Sequence, residues 1–599
     1  MMVETLERPK DAPPARRSAN KDWLRALELT QRIDQAPHRT LAVVIDELAE
    51  RLGDAPALLA DREQLSFRGL AERSRRYARW ALDQGLARGD VVALLMPNRP
   101  EYIAVWLGLG RIGVAAALIN TSLRGASLAH CLKVAAPRAV IADAALAEAL
   151  AAVTHDLPAE TRLWLHGAAA PDWPRLDQAI EAYGAGDLAL DAPAPTLKDR
   201  ALLIYTSGTT GLPKAANVSH HRVMSWGGWF AGLMDVQPGD RLYDCLPLCH
   251  SAGGVAAVGA ALMGGASVVI AEKFSARRFW DDIARWDCTV FQYIGELCRY
   301  LLAAPAHRAE RSHRLRLCVG NGLGGDVWEA FQARFTIPRV LEFYAATEGN
   351  FSLYNVEGRP GAIGRLPSFL SHRFPAAIVR FDHEAGRPAR DGAGRCVRCA
   401  TGEAGEAIGR VSAAGAGRFE GYTDADASEQ KLLRDVFEPG DAWVRTGDLM
   451  RQDAQGFYYF VDRIGDTFRW KGENVAAAEV AAALRAFPGV EDACVYGVAV
   501  PGASGKAGMA ALVARPGLDL AALRAHLARR LPDYARPVFL RLVAALELTE
   551  TFKLKRARLA DEGWEAPGDA VYVDDKAAGA YVRLGAALAA RIRSGSARL

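Results

Sequence analysis

The densest set of reactive and binding groups stands in one short stretch, Tyr205-Thr-Ser-Gly-Thr-Thr-Gly-Leu-Pro-Lys214. Thr206, Ser207, Thr209 and Thr210 place hydroxyl donors beside backbone N–H groups. Gly208 and Gly211 allow positive φ and a close approach of backbone to ligand. Lys214 adds a fixed positive charge. Donors and a cation in this order suit the oxygens of a polyphosphate. A polar surface turn between two strands has the same composition, so the stretch alone leaves both readings open. The common P-loop is excluded, because it needs Gly, Lys and Ser or Thr together at a helix start, and here Pro213 precedes Lys214.

Further along, Thr347-Glu348 follows the apolar run Val340-Leu-Glu-Phe-Tyr344. A carboxylate at a strand's end suits Mg²⁺, which takes one or two carboxylates plus phosphate oxygens and water. A solvated glutamate is the plain alternative. Asp448 follows the tight turn Thr446-Gly447, where a carboxylate accepts from both hydroxyls of a ribose, as in dinucleotide sites. Arg463 supplies a guanidinium able to reach ribose or phosphate. For Asp448 and Arg463 a surface ion pair is the plain alternative. His250, in Leu246-Pro-Leu-Cys-His-Ser-Ala-Gly253, suits an apolar entrance or a satisfied core position.

These groups need strands and helices to hold them. Ala201–Tyr205 reads as a buried strand entering the glycine-rich stretch, and Ala215–Val218 as a strand leaving it. Ser219 then caps a helix. Strand patterns at Val91–Met96, Val114–Ile119 and Ala139–Ala142 alternate with helical ones, which argues an α/β fold with largely parallel sheets. After about residue 465 the pattern changes to an alanine-rich helix, short strands and a basic end. That reads as a small α+β domain joined at Gly465, a residue suited to absorb a hinge rotation. The expected divisions are a tail over 1–37 containing a helix near its end, a large domain over 38–464, and a small mobile cap over 465–599.

The chain has 599 residues, half of them hydrophobic, with 24% charged and a net charge of +3. This is globular composition with ample core, and it gives no case for nucleic acid. Nine cysteines in such a length form no disulfide scaffold, and they read as mostly buried thiols of a reduced, cytoplasmic protein. Cys396-Val-Arg-Cys399 has metal-ligand spacing but no second pair nearby. The uncharged run from Ala252 to Ala271 is long enough to span a bilayer. Its glycines favour a buried helix, a turn and a buried strand.

Taken in order, these motifs resemble the adenylate-forming superfamily of acyl-CoA synthetases, luciferases and peptide-synthetase adenylation domains, over about residues 40 to 590. Ala117-Leu-Ile-Asn-Thr-Ser-Leu-Arg-Gly125, Gly320-Asn-Gly-Leu323, Ala346-Thr-Glu-Gly-Asn350 and Asp466-Thr-Phe-Arg-Trp-Lys-Gly-Glu-Asn-Val475 look like its fatty acid transport protein branch, similar to long-chain and very-long-chain acyl-CoA synthetases. The resemblance implies activation of a fatty acid by ATP to an acyl-adenylate, release of pyrophosphate, then transfer to coenzyme A with release of AMP. It implies that Thr206–Lys214 hold phosphates, Thr347 contacts phosphate, Glu348 binds Mg²⁺ and Tyr344 stacks on adenine. By the same resemblance Asp448 and Arg463 bind ribose, Lys553 bridges carboxylate and α-phosphate, and Gly472, Glu473 and Asn474 face CoA. Two positions depart from the pattern. Ala345 stands where the superfamily often has glycine, and Lys553 follows Thr551-Phe552 instead of Ser-Gly, with Lys555 as a competitor. A bile-acid-type CoA ligase, a fatty acyl-AMP ligase and a membrane-associated fatty-acid uptake protein are the alternatives. The resemblance leaves open a peripheral position at the inner face of a membrane, and a homodimer.

Overall fold

A strand covered on both faces must be apolar along its length, and two families of such runs build the larger sheets. The computed structural model describes residues 18–599 except 169–172, 190–191, 207–211, 384, 413–416, 472, 502–504, 549–553, 567, 577, 595–596 and 598–599. The described residues form two compact units. One runs from residue 18 to Phe343 and includes Tyr354–Gly361. The other holds Tyr344–Leu353 and the chain from Ala362 onward. The division expected at 464/465 therefore falls inside the second unit.

In the first unit, one sheet has six strands in the order Arg162–His166, Ala139–Asp143, Val91–Leu95, Ala115–Leu118, Arg200–Thr206 and Lys214–Ser219. All pairs are parallel except the last, where Arg200–Thr206 and Lys214–Ser219 run antiparallel. Val91–Leu95 and Ala115–Leu118 are buried at every position, as their unbroken apolar sequences require. The second sheet has eight strands in the order Ser352–Asn355, Val340–Ala345, Leu317–Asn321, Val290–Ile294, Arg241–Asp244, Ser267–Ile270, Pro56–Leu59 and Gln64–Ser66. From Val340–Ala345 to Pro56–Leu59 the neighbours are parallel, and Gln64–Ser66 is antiparallel at the edge.

The N-terminal segment is more than a tail. The helix Ala19–Thr30 buries Trp23 completely, with its ring 5.9 Å from Trp229 and 5.8 Å from Tyr354. Asp22, also buried, is paired with Arg339 at 2.7 Å. Residues 19–30 are thus core of the first unit, because a fully buried tryptophan outweighs the polar residues around it.

The apolar run after His250 folds as expected into helix, turn and strand. A π-helical segment, Ser251–Ala257, continues as the helix Val258–Met263, and Ser267–Ile270 follows as a buried strand. A Cβ on Gly254 would fall 1.9 Å from the Leu248 carbonyl oxygen, so only glycine fits there. Among the described residues no helix is long and apolar enough to cross a membrane.

The second unit contains two larger sheets, besides two short two-stranded ones. Its long strand Ala442–Gln452 pairs with Gly405–Arg410 on one side. Its other side takes first Leu432–Arg434 and then Tyr458–Arg463. Ala376–Val379 completes this sheet, and every pairing in it is antiparallel. The last sheet runs in the order Val490–Ala499, Lys506–Ala514, Phe539–Leu542, Ala570–Asp575 and Ala580–Arg583, with only the Lys506–Ala514/Phe539–Leu542 pair parallel. Val490–Ala499 and Lys506–Ala514 form an antiparallel hairpin before the helix Leu520–Arg530. The chain is an α/β protein with mostly parallel sheets and a small C-terminal α+β part.

Candidate active site

The glycine-rich stretch begins and ends on a pair of antiparallel strands. Thr206 closes one strand, Lys214 opens the next, and the two are direct register partners. Both strands are apolar and buried, Ala201–Tyr205 at every position and Ala215–Val218 at all but Asn217, and they pair as this hairpin. Its base is braced from the helix Gly125–Ala135. Tyr205 donates its hydroxyl to the Cys131 carbonyl at 2.6 Å, and His130 Nε2 lies 3.0 Å from the Pro213 carbonyl. The Thr206 hydroxyl is buried with no hydrogen-bond partner among the described residues, an orphan donor at the loop's entrance. Ser219 accepts from the Arg222 amide at 3.2 Å, capping the helix His220–Met234 as expected. Ser207, Gly208, Thr209, Thr210 and Gly211 lie outside the described residues.

In the second unit, Tyr344, Asp448 and Arg463 come together. Tyr344 donates its hydroxyl to Asp448 Oδ2 at 2.5 Å, and Arg463 Nε lies 3.5 Å from Asp448 Oδ1. Asp448 and Arg463 are register partners on adjacent antiparallel strands. Burial, then the charge of Asp448, pushes the Tyr344 phenol far above its ordinary range, so it stays a donor. The turn that presents Asp448 is itself supported. Gly447 has φ +78°, and its amide donates to Glu406 Oε1 at 3.2 Å. Glu406 is completely buried and paired in two places with Arg445, at 3.0 and 2.8 Å. A fork of this kind fixes direction as well as charge. The Asp448 amide donates to Thr446 Oγ1 at 3.1 Å.

Thr347 and Glu348 follow the strand Val340–Ala345 in a turn pinned by Asn350, which donates to the carbonyls of Arg410 and Gly417 at 2.8 and 3.0 Å. Glu348 is buried, and the Lys431 ammonium lies 3.1 Å from its Oε1. Burial alone raises a carboxyl. Here Lys431 and the Tyr422 hydroxyl hold Glu348 below the ordinary carboxylate range. Among the described residues no group of three His, Cys, Asp or Glu side chains is placed to hold a metal. A single buried carboxylate fits Mg²⁺ that completes its shell with phosphate and water. Neither Lys431 nor Tyr422 carries a sequence signal, since both sit in polar, turn-rich sequence without motif or period.

Gly465 lies in a turn after Arg463, held by Asp466 and Thr467 amides that both donate to the Arg463 carbonyl at 3.0 Å. Asp462 Oδ2 accepts from the Ala477 amide at 2.6 Å, tying this turn to the helix Ala477–Arg485. Glu473 and Asn474 stand on the strand Glu473–Val475, which pairs with Phe468–Trp470. Phe468 and Trp470 anchor that hairpin in the C-terminal core. Gly472 and Lys553 lie outside the described residues. Leu548 and Leu554, on either side of the lysine's segment, form an antiparallel bridge, and the competitor Lys555 is within 3.7 Å of Glu547. Cys396 is buried in the small antiparallel sheet's core, as a small apolar residue would be.

A family model described as AMP-binding enzyme matches residues 45–422, and one described as AMP-binding enzyme C-terminal domain matches 479–553. The chain belongs to the AMP-binding enzyme family. Among curated members it is 41% identical over 576 residues to long-chain fatty acid transport protein 1 of Homo sapiens, covering 94% of this chain and 88% of that one. It is 38% identical over 541 residues to the medium/long-chain-fatty-acid–CoA ligase FadD6 of Mycobacterium tuberculosis, covering 89% and 88%. Among solved structures the fold matches ATP-bound MatB from Rhodopseudomonas palustris with TM-score 0.73 at 24% identity, over 87% of this chain and 98% of that one. It matches a Mycobacterium tuberculosis fatty acyl CoA synthetase with TM-score 0.63 at 22% identity, over 87% and 98%. At such identities these two likenesses concern the fold of this AMP-binding enzyme.

Proposed function

We propose that this AMP-binding enzyme activates long-chain or very-long-chain fatty acids to acyl-CoA through an acyl-adenylate. The observation that carries the reading is the Tyr344–Asp448–Arg463 cluster, found in a chain so similar to long-chain fatty acid transport proteins and to a medium/long-chain fatty acid–CoA ligase. The substrates are ATP, a fatty acid and coenzyme A.

In the first half-reaction a carboxylate oxygen attacks the α-phosphorus, a bond to the acyl oxygen forms, and pyrophosphate leaves. The protein's work is to position the reactants and to stabilise charge on phosphoryl oxygens. Thr206 through Lys214 hold the β- and γ-phosphates with hydroxyls, amides and an ammonium. Thr347 contacts phosphate. Glu348 holds Mg²⁺, which neutralises phosphate charge when bound. Tyr344 packs on adenine while its hydroxyl keeps Asp448 aimed at the ribose, and Arg463 assists. Lys553 bridges the carboxylate and the α-phosphate. In the second half-reaction the CoA sulfur attacks the acyl carbon, the acyl–oxygen bond to AMP breaks, and AMP leaves. The Phe468–Val475 hairpin, with Gly472, Glu473 and Asn474, meets CoA at this stage, after rotation about Gly465.

A panel of fatty acids of rising chain length, followed by AMP release with and without CoA, tests the reading. Turnover that depends on CoA and favours long chains supports it. Adenylation without CoA-dependent turnover would make the protein a fatty acyl-AMP ligase, and preference for a sterol acid would make it a bile-acid-type ligase.

A further inference from the structure

Lys431 has no role in the reading above, yet among the described residues it pairs with the carboxylate assigned to the metal. Its ammonium lies 3.1 Å from Glu348 Oε1, with Glu348 only 10% exposed at its side chain and Lys431 27%. The backbone that carries each partner is held in place. Lys431 follows the short helix Ala425–Glu429 and immediately precedes the strand Leu432–Arg434. Its carbonyl accepts from the Arg445 amide at 2.8 Å, and that same Arg445 is forked to the buried Glu406. On the other side Asn350 pins the turn that carries Glu348.

A buried ionised carboxylate without a counter-charge costs several kcal/mol, so Glu348 stays ionised only with a cation beside it, metal or ammonium. A metal on that carboxylate stands about 2 Å from its oxygen. An ammonium left at the same oxygen would then face a divalent ion within a few ångströms, in a partly desolvated place where like charges repel strongly. The two cations exclude each other.

We propose that Lys431 is the counter-ion of Glu348 in the metal-free enzyme and yields the carboxylate when metal and nucleotide arrive together. The inference rests on the assignment of Glu348 to Mg²⁺. Lys431 is in this account a positioning residue, which keeps the empty site charged, ordered and closed to stray cations. The exchange makes metal binding weaker than Glu348 alone would allow, and ties it to the phosphates that accompany the metal.

The test is calorimetric and needs no turnover. The affinity of the whole protein for the non-cleavable α,β-methylene analogue of ATP is measured with saturating Mg²⁺ and with chelator, and the ratio gives the metal's contribution. Lys431→Met removes the competitor and keeps the alkyl stem, and it should raise that ratio about tenfold. Lys431→Arg should keep it near the starting value. In metal-free buffer Lys431→Met should also lower the melting temperature, and combining it with Glu348→Gln should recover most of the loss. An unchanged ratio in a Lys431→Met protein that melts cooperatively overturns the proposal and leaves the nucleotide reading standing. No binding of the analogue to the unmodified protein, with or without metal, overturns both.

Discussion

Tyr344 and Asp448 stand 104 residues apart and share a hydrogen bond of 2.5 Å, the phenol donating to the carboxylate. The bond joins the ring proposed to pack on adenine with the acid proposed to bind ribose, so in that reading one hydrogen-bonded pair would hold both halves of a nucleoside. Tyr344→Phe keeps the ring and removes the donor. A hydrogen bond to a charged group is worth about 1.5–3 kcal/mol. The KM for ATP should therefore rise by about ten- to a hundredfold, with a smaller fall in kcat and no change in the KM for CoA. Steady-state kinetics in each substrate checks this.

The strand Arg241–Asp244 ends in a completely buried acid. Asp244 Oδ1 accepts from the Leu246 amide at 3.0 Å, while Oδ2 has no hydrogen-bond partner among the described residues. Burial pushes its carboxyl up to about 7. In the unfolded chain it ionises near 4. Between these values the folded state holds the extra proton, so stability falls as pH rises from about 4 to about 7 and is level above. Asp244→Asn should melt with the unmodified protein at pH 4 and above it at pH 8, where the gap is on the order of 4 kcal/mol. Thermal melts at the two pH values measure it.

The hairpin that carries Glu473 and Asn474 is packed against Gly505. A Cβ there would lie 2.2 Å from the Arg469 carbonyl oxygen, at a backbone φ of +89°. Gly505→Ala should cost about 1–3 kcal/mol and displace the hairpin. Thioester formation should fall several-fold while pyrophosphate exchange is nearly kept, which assays of the separate half-reactions resolve.

Lys553→Ala should abolish ATP–pyrophosphate exchange and spare thioester formation from pre-made acyl-adenylate. Lys555→Ala should leave both steps near their starting rates, because Lys555 already has Glu547 beside it. Loss of both steps on changing Lys553 would make that lysine structural.

What the sequence made legible was local. The strands flanking the glycine-rich stretch, the Ser219 cap and the buried helix–turn–strand after His250 follow from short apolar runs, a capping hydroxyl and glycine placement. These signals lie within a few residues of what they specify. The antiparallel sheet around Ala442–Gln452 was less legible, since half-exposed strands such as Leu432–Arg434 carry charge and no clean alternation. Trp23 gave no sign that its helix was core, because its partners Trp229 and Tyr354 are hundreds of residues away. Asp448 and Arg463 were readable as candidates by residue type, but the Tyr344 hydroxyl between adenine and ribose roles was not. Lys431 was invisible for the same reason: its importance lies in a contact with Glu348, and no spacing along the chain encodes it.

The central claim is that a fatty carboxylate becomes bonded to the α-phosphorus of ATP on this protein. Supplying the fatty acid with both carboxylate oxygens replaced by heavy oxygen tests it directly, with ATP, Mg²⁺ and CoA present. The account predicts AMP carrying one heavy oxygen and an acyl-CoA that keeps the other. Unlabelled AMP, or ADP as the nucleotide product, would contradict it.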